Sequence, residues 1–214
     1  MRKVTCPCDQ TFSLDIPETI NLDEQPQVIS SILDGSFLSC VCPRCGSSLN
    51  LDLPTRVEWP SKKAIIHLVP EVERISVMHG GRTVAEGELV VVGYSELADR
   101  IAVLKEELDI LAIESLKIRL LEKARESNPQ ATAQLVFEKK TPSGDLEFHL
   151  HGLREGEVAI TVVPYRVYEM VLQSLKDNPD SEEYTALING PYISAKNILD
   201  RKSTRLNSSH ATLS

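Results

Sequence analysis

Two short stretches near the start of the chain decide its fold: Cys6-Pro7-Cys8 and Cys40-Val41-Cys42-Pro43-Arg44-Cys45-Gly46. Together they contain all five cysteines of a 214-residue sequence. Two closely spaced cysteine pairs, separated by a mid-length insert, are typical of the two knuckles of a four-thiolate zinc site. The sequence therefore predicts a metal centre that holds the N-terminal region together.

The predicted ligands of a structural Zn²⁺ ion are Cys6, Cys8, Cys42 and Cys45. The second knuckle, residues 42–45, carries the stronger signal because two residues between the cysteines suit a tight turn around one ion. Pro43 fixes the backbone there, and Gly46 can adopt a positive φ that turns amide groups toward the sulfur of Cys45. The first knuckle, residues 6–8, has one intervening residue, which is a less usual spacing.

Other interpretations of the cysteines are available. Cys40 is predicted to be a buried bystander, and an alternative ligand set exchanges it for Cys6 or Cys8. The non-metal alternative is that all five are small buried hydrophobic residues. A redox pair at Cys42 and Cys45 is disfavoured because predicted strands flank it on both sides, whereas such pairs open a helix after a strand. A catalytic zinc ion needs an open position and usually a His or carboxylate ligand, for which no spacing argues.

Composition limits the possible partners and compartment. The chain is 42% hydrophobic and carries a formal charge of −8, from 23 Lys+Arg against 31 Asp+Glu. Such an acidic chain is repelled by phosphate backbones unless it concentrates basic residues on one face, so nucleic acid is not an expected partner. The sequence shows no secretory signal and no apolar run long enough to span a bilayer. We therefore expect a cytoplasmic protein with no membrane partner, in which reduced thiols favour metal over disulfides.

Residues 1–93 are predicted to form a mostly β domain. Alternating apolar residues and turn signals predict strands near residues 12–16, 37–41, 49–53, 64–69 and 89–92. The second and third of these strands form a hairpin with the second knuckle as its turn. Asp23 is predicted to cap a short helix over residues 24–33, with Gly35 just past its end.

Residues 94–127 are predicted to be a helical connector, because apolar residues recur every three or four positions from Leu97 to Ala124. Ser95 offers an N-cap, and one long helix is possible because no glycine or proline interrupts the pattern. The alternative is two helices, the second capped by Asp109. The apolar stripe is typical of core packing; the alternative is a homodimer through residues 95–126.

Residues 128–200 are predicted to form a small α+β domain. Three strands in an antiparallel meander precede a helix over residues 164–176, and a shorter helix is capped by Asp180 or Ser181. Residues 201–214 lack periodicity and are basic rather than acidic. They resemble translated sequencing adapter and are predicted to be a non-native tail, the alternative being a disordered basic tail.

Several features together resemble the CpXC domain, a bacterial and archaeal family of uncharacterised function named for paired Cys-Pro-x-Cys motifs. The residues that carry the resemblance are Val4–Cys8, Phe12, residues 29–35 and Cys42–Gly46. The likeness covers at least residues 1–70. It extends to about residue 125, where Leu108-Asp109 with Glu114 and Lys117 is similar to the helical part of such domains. The first knuckle departs from the family pattern by being one residue shorter.

The resemblance implies a zinc-ribbon-like module and supplies no activity. The predicted fold class is therefore α+β: a zinc-ribbon-like, mostly β N-terminal domain, a helical connector, and a small antiparallel-sheet-plus-helix C-terminal domain. No catalytic constellation is visible, since His149 and His151 fall on the solvent face of a predicted strand.

The leading functional prediction is a cytoplasmic, zinc-stabilised protein-interaction or scaffold module whose partner is another protein. The alternatives are a hydrolase-type enzyme with a site between its domains that no motif reveals and, with less support, a nucleic-acid-binding zinc ribbon.

Overall fold

The computed structural model describes residues 1–127, 133–154 and 156–199. Three predictions fall on residues outside these ranges: the turn at residues 128–129, Glu155 of the turn at 154–156, and the tail at 201–214. The chain divides into two compact units, Met1–Ile101 and Ala102–Ser214. The predicted domain limits at residues 93, 127 and 200 stay predictions.

The first unit is rich in short strands. They are β1 (Arg2–Thr5), β2 (Thr11–Leu14), β3 (Thr19–Asn21), β4 (Ser39–Val41), β5 (Ser48–Asn50), β6 (Thr55–Trp59), β7 (Ala64–Val69) and β8 (Leu89–Val92). Its helices are α1 (Gln27–Leu33), α2 (Arg74–Met78) and α3 (Gly93–Lys105), the last of which continues into the second unit. Strands β1 and β2 form one antiparallel hairpin, and β4 and β5 form another.

A larger sheet carries the core of this unit. Strand β3 pairs parallel to β6, β6 antiparallel to β7, and β7 parallel to β8. The central strands β7 and β8 bury Ile66, Leu68 and residues 90–92, as expected for the apolar runs that predicted them. Parallel neighbours need a crossover connection. Residues 70–88 supply it and include α2, a short helix that the sequence pattern did not predict.

The predicted cap of the first helix was wrong. Helix α1 begins at Gln27 with Pro26 in the N-cap position, so Asp23 lies too far ahead to cap it. The Asp23 carboxylate instead accepts hydrogen bonds from the Ser61 backbone N–H (2.7 Å) and hydroxyl (2.6 Å). These bonds lower the pKa of Asp23, and the bond from the Ser61 hydroxyl has the larger effect. Asp23 therefore bonds to Ser61, 38 residues further along the chain, instead of capping α1.

The helical region is two helices, which confirms the alternative with a cap at Asp109. Helix α3 begins at Gly93, two residues before the predicted cap, and the Glu96 carboxylate accepts the Val92 backbone N–H (2.9 Å). Glu107 has a positive φ of 57° and breaks the helix. Helix α4 (Ile110–Ser127) then begins, and Asp109 Oδ1 accepts the Ala112 backbone N–H at 2.9 Å.

The second unit packs helices on an antiparallel sheet. Its remaining elements are β9 (Gln134–Lys140), β10 (Leu146–His151), β11 (Val158–Val163), α5 (Tyr165–Asp177), α6 (Glu182–Thr185), β12 (Ile188–Asn189) and β13 (Tyr192–Ile193). Strands β9, β10 and β11 form the predicted meander, with β10 in the middle. Phe137 and Phe148 meet edge to face in its buried side, 5.5 Å apart. The predicted α+β fold class is confirmed.

No helix in the described ranges is both long enough and apolar enough to cross a membrane.

Candidate metal centre

The first knuckle is the turn between β1 and β2. The Cys6 backbone N–H donates to the Gln10 carbonyl, and the Asp9 N–H donates to the Cys6 carbonyl, both at 2.9 Å. Asp9 has a φ of 65°, which lets the chain reverse directly after Cys8. The chain therefore turns back toward β2 immediately after the second cysteine.

The second knuckle is the turn between β4 and β5, as predicted. The Cys42 N–H donates to the Ser47 carbonyl (2.9 Å), and the Gly46 N–H donates to the Cys42 carbonyl (3.0 Å). Gly46 has a φ of 73°, the conformation for which a glycine was expected. In both knuckles the left-handed residue directly follows the second cysteine, so they differ only in the number of residues between the cysteines.

The two turns bring four thiols together. The Sγ atoms of Cys6, Cys8, Cys42 and Cys45 all lie within 4.8 Å of one another. Cys6 and Cys45 approach to 3.6 Å, and Cys8 and Cys42 to 3.7 Å. A zinc–sulfur bond of about 2.3 Å in a tetrahedron requires sulfur atoms about 3.8 Å apart. A disulfide would need about 2.0 Å. The donor set and its spacing fit a metal ion bound by four thiolates.

Cys40 does not belong to this group. It lies in β4, directly opposite Leu49 of β5 and half-buried. In the residues that the structure describes, the only group of three or more His, Cys, Asp or Glu side chains close enough to share a metal ion is the set of four thiols. That Cys6, Cys8, Cys42 and Cys45 are metal ligands stays a prediction, and their geometry fits it.

Arg44 and Ser47 surround the thiols with polar groups. Arg44 Nη1 donates to the Cys8 carbonyl at 3.3 Å, so a side chain of the second knuckle is bonded to the backbone of the first. Ser47 Oγ lies 3.2 Å from the Cys45 sulfur. Four thiolates on a divalent ion would leave a local charge of −2, and the guanidinium of Arg44 would offset part of it. Sequence reasoning missed Ser47, whose signal is its position two residues after the last cysteine.

The four thiols differ in acidity because their surroundings differ. Hydrogen bonding to the Ser47 side chain and backbone lowers the pKa of Cys45 to about 6. The Cys45 backbone N–H is the main cause that lowers the pKa of Cys42. For Cys6, the lowering effect of the Cys8 backbone is outweighed by burial and by the neighbouring thiols, which raise its pKa to about 12. A metal ion that binds all four must therefore displace the protons of the thiols that are still protonated.

His67 belongs to an ion-pair network in the larger sheet. Its Nε2 lies 2.7 Å from a Glu88 carboxylate oxygen, while Arg56 bridges Glu88 and Glu58 at 3.0 and 2.7 Å. The hydrogen bond to His67, and then those to Arg56, lower the pKa of Glu88. The sequence carried no signal of this network, because Arg56 lies opposite His67 only when β6 and β7 are paired. All four side chains are partly buried, and we interpret the network as a structural feature of the sheet.

The histidines of β10 lie on the face opposite its buried residues. Leu146, Phe148 and Leu150 are buried, whereas His151 is exposed. His149 is half-buried between the carboxylates of Glu147 (3.0 Å) and Glu138 (3.7 Å). The alternation that placed both histidines away from the core is confirmed.

Comparison with known proteins is consistent with the cysteine motifs. Residues 4–117 match the CpXC family, described as CpXC protein. The chain is 32% identical over 217 residues to an uncharacterized protein of Treponema pallidum (strain Nichols), a similarity that spans 92% of this chain and 98% of that protein. No solved structure matches the chain. The family match contains both knuckles, α3 and the beginning of α4, and this chain belongs to the CpXC family.

Proposed function

We propose that this protein is a cytoplasmic interaction or scaffold module whose N-terminal unit is stabilised by a structural Zn²⁺ ion bound to Cys6, Cys8, Cys42 and Cys45. The observation that carries the proposal is the approach of these four sulfur atoms to within 4.8 Å of one another. Soft thiolates in a tetrahedral arrangement select zinc or iron among the common protein metals, and zinc is the usual structural choice.

The donor set supports a structural rather than a catalytic ion. Four protein thiolates complete the coordination of a tetrahedral Zn²⁺ ion, so no position stays open for water or substrate. The β1–β2 and β4–β5 hairpins are two-stranded, with strands of three or four residues, and such hairpins are marginally stable alone. One ion joining both turns supplies the cross-link that these hairpins need.

Exposed apolar side chains support an interaction role. Val41 lies beside the second knuckle, and Val72 and Ile75 lie on the crossover between β7 and β8; all three are largely exposed. Exposed apolar residues that lie close together, as Val72 and Ile75 do in sequence, are typical of surfaces that contact other proteins. The net charge of −8 argues against a nucleic-acid-binding zinc ribbon, for which a basic face would be needed.

The metal content of the purified chain tests the proposal. We expect about one equivalent of zinc by elemental analysis, because one four-thiolate site binds one ion. Cys42→Ser removes a buried ligand and is expected to abolish stoichiometric zinc and lower the thermal midpoint of unfolding. Cys40→Ser is the matched control, since Cys40 lies two residues away in the same hairpin and outside the thiol group. It is expected to retain both zinc and the wild-type midpoint.

Three results would contradict this assignment: iron instead of zinc, a Cys42→Ser protein that keeps its metal, or a Cys40→Ser protein that loses it. The interaction role is tested by affinity capture from cell extract with wild-type protein and with a Val72→Asp/Ile75→Asp variant that keeps its zinc. A partner retained by the wild type and lost by the variant supports the role, and capture of nothing specific by either contradicts it.

A further inference from the structure

Strand β11 is an unprotected sheet edge in the second unit. Within the described residues it forms the end of the β9–β10–β11 sheet and pairs only with β10. The opposite edge, β9, carries Glu138, Lys139 and Lys140, and charges of this kind discourage strand addition. Strand β11 reads Val-Ala-Ile-Thr-Val-Val and has no charged residue, proline or bulge. The charges of β9 thus disfavour pairing with a further strand, whereas β11 has no feature that disfavours it.

The side chains of β11 are exposed on the outer face of the sheet. Val158, Ile160 and Val162 are 48%, 62% and 48% exposed, and they lie across from the half-buried or exposed side of β10. The core-facing side is also incompletely covered, because a groove of about 620 Å³ separates Ala159 and Thr161 from α4. An apolar strand accessible from its edge and from both faces is unusual for a surface that meets only water.

The outward-facing residues of β11, Val158, Ile160 and Val162, are symmetric about Ile160. In an antiparallel ladder, directly opposite residues point to the same face of the sheet. If two copies of β11 pair with their exposed faces on the same side, even-numbered residues must therefore lie opposite even-numbered residues. A two-fold axis through Ile160 then sets Ile160 against Ile160 and Val158 against Val162 of the second copy. On the inner face it sets Ala159 against Thr161. Pairs of β-branched residues directly across an antiparallel ladder are stabilising, and a self-matching patch is what an isologous dimer requires.

The absence of charge in β11 is compatible with the same occupant. Two copies of a chain with a net charge of −8 repel one another over most of their surfaces. Residues 158–162, which this ladder pairs with one another, carry no charge, so two copies can approach along this edge without a like-charge contact between paired residues.

We propose that a second copy of this chain pairs with β11 through an antiparallel, two-fold β11–β11 ladder centred on Ile160, which joins the two meanders into one six-stranded sheet. The interface does not involve the thiol group, so the dimer proposal can be tested independently of the metal proposal. The ladder pairs five residues of each copy and is smaller than a standard interface, so we expect a dissociation constant in the micromolar range. Added salt should strengthen the dimer, because it screens the repulsion between the acidic copies.

Sedimentation analysis of the zinc-loaded full chain tests the ladder. The wild type is expected to dimerise, and Ile160→Lys or Ile160→Glu alone is expected to weaken the dimer by about tenfold or more. Because residue 160 faces itself across the axis, an equimolar mixture of the two variants should recover a heterodimer. Met170→Lys is the matched control; Met170 is an exposed apolar residue of α5 (71% exposed) outside the ladder, and its replacement should leave dimerisation unchanged.

A wild type that stays monomeric at several hundred micromolar overturns the proposal. So does a dimer that Ile160→Lys leaves intact, which would direct attention to residues 95–126, or a variant mixture that does not associate. Circular dichroism checks that each variant is folded. Should the Ile160 variants fail to fold, Val158→Lys mixed with Val162→Glu tests the same register, since these positions face one another only in this ladder.

Discussion

Asp9 and Gly46 occupy equivalent positions in the two knuckles, one residue after the second cysteine of each pair. Both are left-handed, with φ values of 65° and 73°. Glycine adopts this conformation without steric penalty, whereas an L-residue pays roughly 1–2 kcal/mol and aspartate somewhat less. The family-type knuckle thus uses glycine at this position, while the shortened knuckle relies on aspartate.

Gly46→Ala is expected to destabilise the zinc-loaded protein by about 1 kcal/mol. A Cβ at position 46 would meet nothing within 4 Å, so the effect comes from the backbone conformation alone. Urea unfolding of the zinc-loaded protein measures it. Asp9→Gly is the matched comparison and should be neutral or slightly stabilising. Equal stability of Gly46→Ala and wild type would mean that the left-handed turn is not needed.

At the scale of elements, Tyr94 explains how the seven-residue α1 is held. Helices this short are unstable alone. The Tyr94 hydroxyl, at the start of α3, lies 3.0 Å from the Ser31 carbonyl and 2.9 Å from the Ile32 carbonyl at the end of α1, and its hydrogen is shared between them. Burial, and then the nearby charge of Asp34, raises the pKa of Tyr94 to about 12.

Tyr94→Phe is expected to lower the free energy of unfolding at pH 7 by about 1 kcal/mol, the usual net value of a lost hydrogen bond. The raised pKa sets the pH dependence. An unfolded tyrosine ionises near pH 10, so the stabilisation by Tyr94 is complete below that pH and is lost as pH rises through about 12.

Urea titrations at pH 7 and at pH 11 measure this prediction as the difference between wild type and Tyr94→Phe. The difference should shrink at the higher pH. Tyr165→Phe is the control, because the contacts of Tyr165 with Tyr168 and Lys140 are made by its ring. A difference that stays constant with pH would contradict a stabilising role for the neutral hydroxyl.

At the scale of the whole molecule, Glu114 joins the family-matched residues to the end of the described chain. It is buried in α4, where one carboxylate oxygen accepts Lys117 Nζ and the other accepts the Ala195 backbone N–H, both at 2.8 Å. The family match ends at residue 117. The second unit is therefore completed by a C-terminal segment outside that match.

Glu114→Ala is expected to destabilise the protein by about 3–5 kcal/mol, because it leaves the buried ammonium of Lys117 without this carboxylate. Chemical denaturation followed by circular dichroism measures the change. Glu114→Leu combined with Lys117→Met removes both charges and should restore much of the stability. A double variant no more stable than Glu114→Ala would show that the bond to Ala195, rather than the charge pair, carries the effect.

The sequence by itself determined the features that depend on local pattern. Alternating apolar residues located β7 and the meander, and continuous apolar residues located β8. Two cysteine pairs identified the four thiols that the structure brings together, because each pair must form its own turn whatever the rest of the chain does. The break at Glu107 was visible only as an alternative, since an uninterrupted apolar stripe allows one helix or two with nearly equal local energies.

The tertiary structure alone decided the features that depend on contacts distant in sequence. Asp23 bonds to Ser61 instead of capping α1, and His67 meets Glu88. Local preferences at such positions differ by about 1 kcal/mol or less, so a single buried bond or ion pair from another element is enough to choose between them.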